Sequence, residues 1–183
     1  VDGGESWKHM GLRDTQHIGR VVIHPKNPDI VYVAAMGHLW GPNPERGLFR
    51  TENGGKTWQN VLKIDDDTGV GEVAIDQDGR TLFAATYQRR RRGFGFVGGG
   101  PGSAIYRSFD GGDTWEKLGK GLPAGTLGRI GLEGPAEPSQ DRRRRAGIGE
   151  DVIDGAGLRQ VRAADGGSVV TGDQWIGLHV LEY

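Results

Sequence analysis

The sequence predicts an all-β protein built from repeated units of four antiparallel strands. Three observations lead to this prediction: the glycine content, a short box that occurs three times, and strand-like runs between the copies. Glycine makes up 34 of the 183 residues, against roughly 7% in average proteins. Because apolar residues still account for 35% of the chain, we expect the glycines in turns between short strands rather than in a disordered polypeptide.

The repeated box has the pattern Asp/Asn-Gly-Gly-x-Ser/Thr-Trp. Box 1 comprises residues 2–7, box 2 residues 53–58 and box 3 residues 110–115. Alternating, strand-like segments run directly into boxes 2 and 3, at residues 48–51 and 105–108. Three copies with matching flanks indicate an internal structural repeat.

Two more strand-like runs lie between successive boxes. Residues 18–24 and 30–35 follow box 1, and residues 70–76 and 81–87 follow box 2. Both pairs are rich in β-branched and aromatic residues and are joined by short turns, at 25–28 and 77–80. Each period thus holds strands A, B, C and D, with the box joining C to D, which predicts a β-propeller blade.

The chain is too short for a closed ring, since a propeller needs roughly four to eight blades. Residues 1–133 predict the last strand of one blade, two complete blades and the start of another. We therefore expect a fragment, an incomplete propeller whose partners are the remaining blades or further copies of itself, which would cover its exposed edges.

The segment 134–183 departs from the blade pattern. Strand B of a third blade should follow residue 133, but the chain continues with an Arg-rich run at 142–145. Two explanations stay open: a degenerate blade with an imperfect fourth box at 165–170, or a shifted reading frame, because Asp-Arg-Arg codons read one base later encode Ile-Val-Val.

The boxes resemble the Asp-box repeat (bacterial neuraminidase, or BNR, repeat), Ser/Thr-x-Asp-x-Gly-x-Thr-Trp. Box 3 fits in full, box 2 has Asn in place of Asp, and box 1 lacks the leading Ser/Thr. Residues 17–20, 37–43 and 98–102 are similar to bacterial sortilin-like and glycosyl-hydrolase-like propellers. The resemblance implies a structural role, with a polar cap, a positive-φ glycine and a packed indole, for Asp2, Trp7, Asn53, Gly55, Thr57, Trp58, Ser108, Asp110, Gly112, Thr114 and Trp115.

Candidate ligand-binding residues lie in the long loops. In a four-strand meander the boxes share one end with the A–B turns, and the B–C and D–A loops share the other end, which we call the long-loop face. Loops on a rigid scaffold commonly carry binding sites. The loops 37–46, 65–69 and 88–103 supply the candidates His38, Trp40, Asn43, Glu45, Arg46, Asp65, Asp66, Arg89, Arg90 and Phe94, with Asp67, Arg91, Arg92 and Phe96 beside them.

Aromatic rings beside charged groups suit a sugar or a peptide, although Trp40 and Phe94 could instead fill gaps between blades. The first functional interpretation is therefore a secreted or periplasmic binding propeller. The alternative is a glycoside hydrolase of the sialidase or xyloglucanase type, with its catalytic carboxylates partly outside this chain. A third is an assembly factor of the photosystem II kind.

Several classes of partner are not expected. The formal net charge is −1, so the run 89–92 is interpreted as a solvated loop and no nucleic-acid partner is predicted. The absence of Cys excludes disulfides and thiolate chemistry. The acidic run 65–67 lacks the spacing of a calcium loop, and no apolar run is long enough to span a membrane. No metal or cofactor is predicted.

Overall fold

A computed structural model describes residues 2–119, 122–123, 125–133 and 177–181 of the chain. Apart from one 3-10 turn at Arg13–Thr15, the regular elements of these residues are all β-strands. No helix in this part of the chain is long and apolar enough to cross a membrane.

The strands form two complete four-stranded antiparallel sheets. Blade 1 has the spatial order β1-β2-β3-β4, and blade 2 has the order β5-β6-β8-β9, with β7 paired to the far end of β6. The strands of the two blades are β1 (His17–Ile23), β2 (Val31–Gly37), β3 (Gly47–Thr51), β4 (Gln59–Leu62), β5 (Thr68–Ile75), β6 (Leu82–Arg92), β7 (Gly95–Gly98), β8 (Ile105–Ser108) and β9 (Glu116–Lys117). The predicted fold class, all-β with four-stranded blades that do not close into a ring, is confirmed.

A third unit begins with β10 (Arg129–Glu133), at the position predicted for another strand A. It pairs antiparallel with β11 (Gly177–Leu181), as strands A and B pair in blades 1 and 2. The predicted fourth box (165–170) and the Arg-rich run (142–145) lie outside the described residues. The structure therefore does not test the two explanations for this segment.

One loop prediction was wrong. Residues 88–103 were expected to form a B–C loop, but β6 continues to Arg92 and returns as β7. Cross-strand pairs join Arg90 to Val97 and Arg91 to Phe96. A run of four charged residues is unusual in a strand, and here pairing and tertiary contacts outweigh the local preference.

The blades stack face to face, and each buries apolar residues on the next. Blade 1 contributes Tyr32, Ala34 and Leu48 to a core that it shares with Val70 and Val73 of blade 2. The same arrangement recurs where blade 2 meets β10, through a second buried cluster consisting of Phe83, Ala85, Ile105, Ile130 and Leu132. Burial of apolar area of this kind is the main source of stability in β-sheet stacks.

Glycines allow the first strands of the two blades to approach closely. A Cβ at Gly19 would overlap the carbonyl oxygen of Gly71, and a Cβ at Gly69 would lie 2.6 Å from the Cα of Met36. In contrast, a Cβ at Gly71 itself would find its nearest neighbours at 3.9 Å, an ordinary contact distance. The approach of β1 to β5 therefore depends on Gly19.

The opposite face of blade 1 is partly open. Val21 occupies in β1 the position that Val73 occupies in β5, yet Val21 is 55% exposed and Val73 only 2%. Ile18 and Ile23 on the same strand are also exposed. The exposed face of β1 carries the same kind of apolar residues that β5 buries between the blades. In the described part of the chain, no blade covers this face of β1.

The boxes are tight turns closed by their own side chains. In box 3 the Ser108 hydroxyl donates to Asp110 Oδ1 (2.7 Å) and accepts the Gly112 N–H (2.8 Å). Asp110 also accepts the backbone N–H (2.9 Å) and the hydroxyl (2.6 Å) of Thr114. In box 2 the residues Thr51, Asn53, Gly55 and Thr57 make the corresponding bonds. The Gly-Gly pairs take positive φ angles, which other residues adopt only at a cost.

Box 3 also joins the two blades. The Tyr32 hydroxyl and the Arg50 guanidinium of blade 1 both donate to the Gly111 carbonyl at 2.8 Å, and Arg50 reaches Asp113 Oδ1 at 2.7 Å. The Trp115 ring packs against the core between the blades. The other two box indoles differ: Trp58 donates to the Met10 carbonyl at 2.7 Å, and Trp7 is exposed.

Replacement of Gly19 by Ala should destabilise the chain, whereas replacement of Gly71 should not. The added methyl at Gly19 would force β1 and β5 apart, with a cost of about 1–3 kcal/mol, typical of overpacking. The methyl at Gly71 meets only ordinary contacts, so G71A should be neutral or stabilising by up to about 1 kcal/mol. Urea unfolding of both variants checks this, and equal midpoints would contradict the proposed close approach.

A second prediction concerns acid stability. Hydrogen bonds from Thr114, and then from Ser108, hold the pKa of Asp110 well below its usual value. A carboxyl with a lowered folded-state pKa contributes stability above its ordinary pKa of 3.8 and loses it as the pH falls through the lowered value. Asn at this position would keep the bonds that Asn53 makes in box 2 and would not titrate.

We therefore expect D110N to fold at neutral pH, and the stability difference between wild type and D110N to change only below about pH 5, where the carboxyl of the unfolded chain begins to take up protons. Below that value, acidification should reduce the unfolding free energy of the wild type relative to the variant. Urea titrations at several pH values measure this difference. A difference that stays constant through the acid range would show that Asp110 has no linked stability.

Candidate functional site

The long loops of both blades meet at the end of the sheets opposite the boxes. The Asn43 N–H of blade 1 donates to the Asp66 carbonyl (2.8 Å), and the Arg89 N–H of blade 2 donates to the Asp67 carbonyl (3.0 Å). Trp40 and Arg91 form an isolated parallel bridge between the two blades. The long-loop face is therefore one continuous surface assembled from both blades.

The buried side chain of Arg46 joins these loops by hydrogen bonds to their backbone carbonyls. Its side chain is fully buried, with 0% exposure. Nη1 donates to the carbonyls of Asp67 and Arg89, both at 2.8 Å, and Nη2 donates to those of His38 (3.1 Å) and Gly41 (3.3 Å). Burial lowers the pKa of Arg46, and the nearby charge of Asp67 opposes that shift. A buried cation is tolerated here because carbonyl oxygens accept from both terminal nitrogens, while its Nε has no partner among the described residues.

Two of the candidate ligand residues thus lie in the interior. Arg46 was expected to face a ligand, but it is enclosed by three loops. Asn43 is also buried, and its Oδ1 accepts the His38 N–H at 3.2 Å. Both residues position the loops and do not reach the surface, because their polar groups are used by backbone partners.

The acidic run is occupied by structural contacts as well. Asp65 accepts the Asp67 N–H at 2.8 Å, Asp66 pairs with Lys63 at 2.8 Å, and Asp67 accepts from Arg90 Nε at 2.8 Å. Of the four carboxylates in the loops 37–46 and 65–69, only Glu45 makes no hydrogen bond or ion pair within the described residues. The same part of the chain contains no group of His, Asp and Glu suited to hold a metal ion.

The side chains that do face solvent form a mixed arginine and aromatic patch. We call Trp40, Arg89, Arg91, Phe94 and Phe96 the arginine–aromatic surface. Trp40 is 55% exposed and Phe96 52%, and Phe94 at the hairpin turn is fully exposed. The guanidinium carbon of Arg91 lies 5.9 Å from the centre of the Trp40 ring, and that of Arg89 lies 5.9 Å from the centre of the Phe96 ring. His38 supports Trp40 by a bond from its Nδ1 to the Trp40 carbonyl (3.1 Å).

The hairpin register explains why Arg89, Arg91 and Phe96 share one face. Side chains alternate along a strand, so Arg89 and Arg91 point to one side of β6 and Arg90 and Arg92 to the other. Arg91 lies opposite Phe96 in β7. A Cβ at Gly98 would lie 2.7 Å from the Phe96 ring, so the absence of a side chain there lets the ring lie along the hairpin towards Arg89.

Sequence reasoning missed one further charged pair, between the first strands of the blades. Arg20 of β1 and Glu72 of β5 lie 3.8 Å apart. Burial raises the pKa of Glu72, and Arg20 and then Arg129 oppose that shift. Both Arg20 and Glu72 follow an apolar-Gly pair in strand A, at residues 18–19 and 70–71, and this shared position is the signal that could have identified them.

Loss of the buried guanidinium should disturb the whole long-loop face. In R46M the carbonyls that it bonds would lose their donors, and each buried group left without a partner costs about 1–3 kcal/mol. We expect a destabilisation of at least about 2 kcal/mol and faster hydrogen exchange at the Asn43 and Arg89 amides. R92M, which removes an exposed arginine from the β6–β7 hairpin at the same end of the sheets, should stay within about 0.5 kcal/mol of wild type. Equal effects would contradict the supporting role of Arg46.

Comparison with known proteins gives the following. No protein-family model matches the chain, and no curated protein sequence matches it. Among solved structures, an ancestral GH74 enzyme is 16% identical, with 61% of this chain and 13% of the enzyme covered, at a TM-score of 0.41. The GH74 enzyme of Niastella koreensis is 17% identical, with 55% of this chain and 14% of the enzyme covered, at a TM-score of 0.40. The chain matches only about an eighth of the length of these enzymes, and the likeness assigns no function to it.

Proposed function

We propose that this chain is part of a β-propeller that binds a peptide or a glycan through its long-loop face. The observation that carries the proposal is the arginine–aromatic surface, which loops of two blades assemble and Arg46 supports from below. Contiguous exposed aromatic side chains on a folded domain mark interaction sites. Aromatic and arginine side chains are also the residue types that contribute most to binding energy.

Binding is favoured over catalysis because the three clustered carboxylates of this face, at residues 65–67, are engaged in loop structure. A glycoside hydrolase needs two carboxyl groups that flank the scissile bond, and Asp65, Asp66 and Asp67 each have a structural partner. The alternative, a glycoside hydrolase, is favoured by one observation. Glu72 has a raised pKa, as a general acid requires, and its second carboxylate would have to come from beyond the described residues.

The partners follow from the same picture. The open apolar face of β1 has the composition of a blade interface, so we propose that another four-stranded blade covers it, either in the same polypeptide or in a second copy. The resemblance of the boxes to the Asp-box repeat, and of residues 17–20, 37–43 and 98–102 to bacterial sortilin-like propellers, supports a secreted or periplasmic location. The ligand would then be an extracellular peptide or carbohydrate.

Glycan and peptide arrays probed with the full chain test this proposal. Replacement of Trp40 by Ala should weaken binding of any ligand found by about 30-fold, the effect of losing an interface residue that contributes about 2 kcal/mol. W7A is the control, because Trp7 is also an exposed tryptophan (91%, against 55% for Trp40) and lies at the opposite end of the sheets. Equal losses in W40A and W7A would place the ligand elsewhere.

The same arrays distinguish the hydrolase. If a glycan is shortened on incubation with the chain and E72Q stops the cleavage, the enzyme interpretation replaces the binding interpretation. If a glycan is bound and remains intact, or a peptide is bound, the binding proposal stands.

A further inference from the structure

We infer that the arginine–aromatic surface recognises an anionic polysaccharide, one whose sugar units carry carboxylate groups. This inference rests on the proposed function and names its ligand class. Two properties of the surface support it: positive charges that have no carboxylate partner among the residues that the structure describes, and an alternating arrangement of rings and guanidinium groups.

The β6–β7 hairpin carries two arginines, Arg89 and Arg91, that contact aromatic rings instead of carboxylates. Within the described residues, Arg50, Arg90 and Arg107 all have carboxylate partners, at Asp113, Asp67 and Glu116. Arg89 and Arg91 have none, and each approaches only an aromatic ring. Two cations without internal partners on one face leave a site for external anions. The fork of a guanidinium matches the two oxygens of a carboxylate.

The order of groups along the surface suits a linear polymer. Arg89 and Arg91 are two residues apart on one side of β6, or about 6.6 Å along the strand. The ring of Trp40 lies beside Arg91, and the ring of Phe96 lies opposite Arg91 and beside Arg89. The surface thus alternates ring, cation, ring, cation. A polyuronate alternates in the same way between the flat C–H faces of its pyranose rings, which stack on aromatic rings, and its carboxylates.

The aromatic contacts also prepare the arginines for binding. A guanidinium packed against a ring keeps its charge and its donors but loses part of its rotational freedom before the ligand arrives. Less entropy is then lost when a carboxylate binds.

A polysaccharide fits this surface better than an acidic peptide does. Extended peptides are commonly bound by pairing with a strand edge that has pockets for alternate side chains. The available edge here is β7, a strand of four exposed or half-exposed residues that begins and ends with glycine. It offers one ring, that of Phe96, and no side chains at its two ends to form pockets. Flat, exposed rings are sufficient for a sugar.

The test measures binding of the full chain to polygalacturonate, with fully methyl-esterified polygalacturonate as the neutral form of the same polymer and poly-glutamate as the acidic peptide. We expect binding to polygalacturonate alone, weakened by added salt because exposed charges are screened. R91Q should reduce the affinity about tenfold, the usual effect of losing one charge-assisted hydrogen-bonding group. R92Q removes the same charge from the other side of the hairpin and should change affinity less than twofold.

Other outcomes would overturn the inference in distinguishable ways. Equal losses in R91Q and R92Q would mean that net charge, and not this surface, attracts the polymer. Equal binding of the esterified polymer would leave a glycan-binding function in place but remove the requirement for an anion. Tight binding of poly-glutamate would identify the ligand as an acidic peptide. If none of the three polymers binds, the inference is overturned, and the arrays with W40A then decide the proposed function separately. Circular dichroism of R91Q and R92Q shows whether both variants retain the wild-type strand content.

Discussion

The close stacking of one sheet on the next is the constraint on which the rest of the structure depends. It requires a position without a side chain where β1 meets β5, and Gly19 supplies it against the Gly71 carbonyl. Once the sheets are in contact, small and branched residues fill the space between them. The box of blade 2 then lies within reach of Tyr32 and Arg50 of blade 1. The long loops of the two blades meet at the other end for the same reason.

The two ends of the stacked sheets differ in how their polar groups are used. At the box end, side chains and backbone satisfy one another within each turn, and the remaining carbonyl of Gly111 bonds to the neighbouring blade. At the long-loop end, the buried side chains of Arg46 and Asn43 form hydrogen bonds with backbone groups of the loops. Because these buried residues hold the loops, Arg89 and Arg91 on the surface can contact aromatic rings instead of pairing with carboxylates of the described residues. A folded chain can expose rings and cations in this way only if other groups hold the loops in place.

Burial of the Arg46 charge shows how this support is obtained. Moving a cation away from water is costly unless its donors are satisfied, and four backbone carbonyls accept from its two terminal nitrogens. These carbonyls belong to segments that are up to 51 residues apart in sequence, at His38 and Arg89. One side chain therefore sets the relative positions of three loops, and the arrangement of Trp40 beside Arg91 follows from it.

The sequence by itself determined the strand order, the four-stranded blades and the ends at which boxes and long loops lie. These features depend on interactions within a few residues: the cap at Asp110 bonds to groups no more than four residues away, and strand patterns alternate locally. Only the tertiary structure decided which loop residues reach a ligand. The burial of Arg46 depends on carbonyls of the neighbouring blade, and the pairing of Arg90 with Asp67 joins residues 23 positions apart in sequence. Burial is a property of what covers a residue, and here that cover comes from residues distant in sequence.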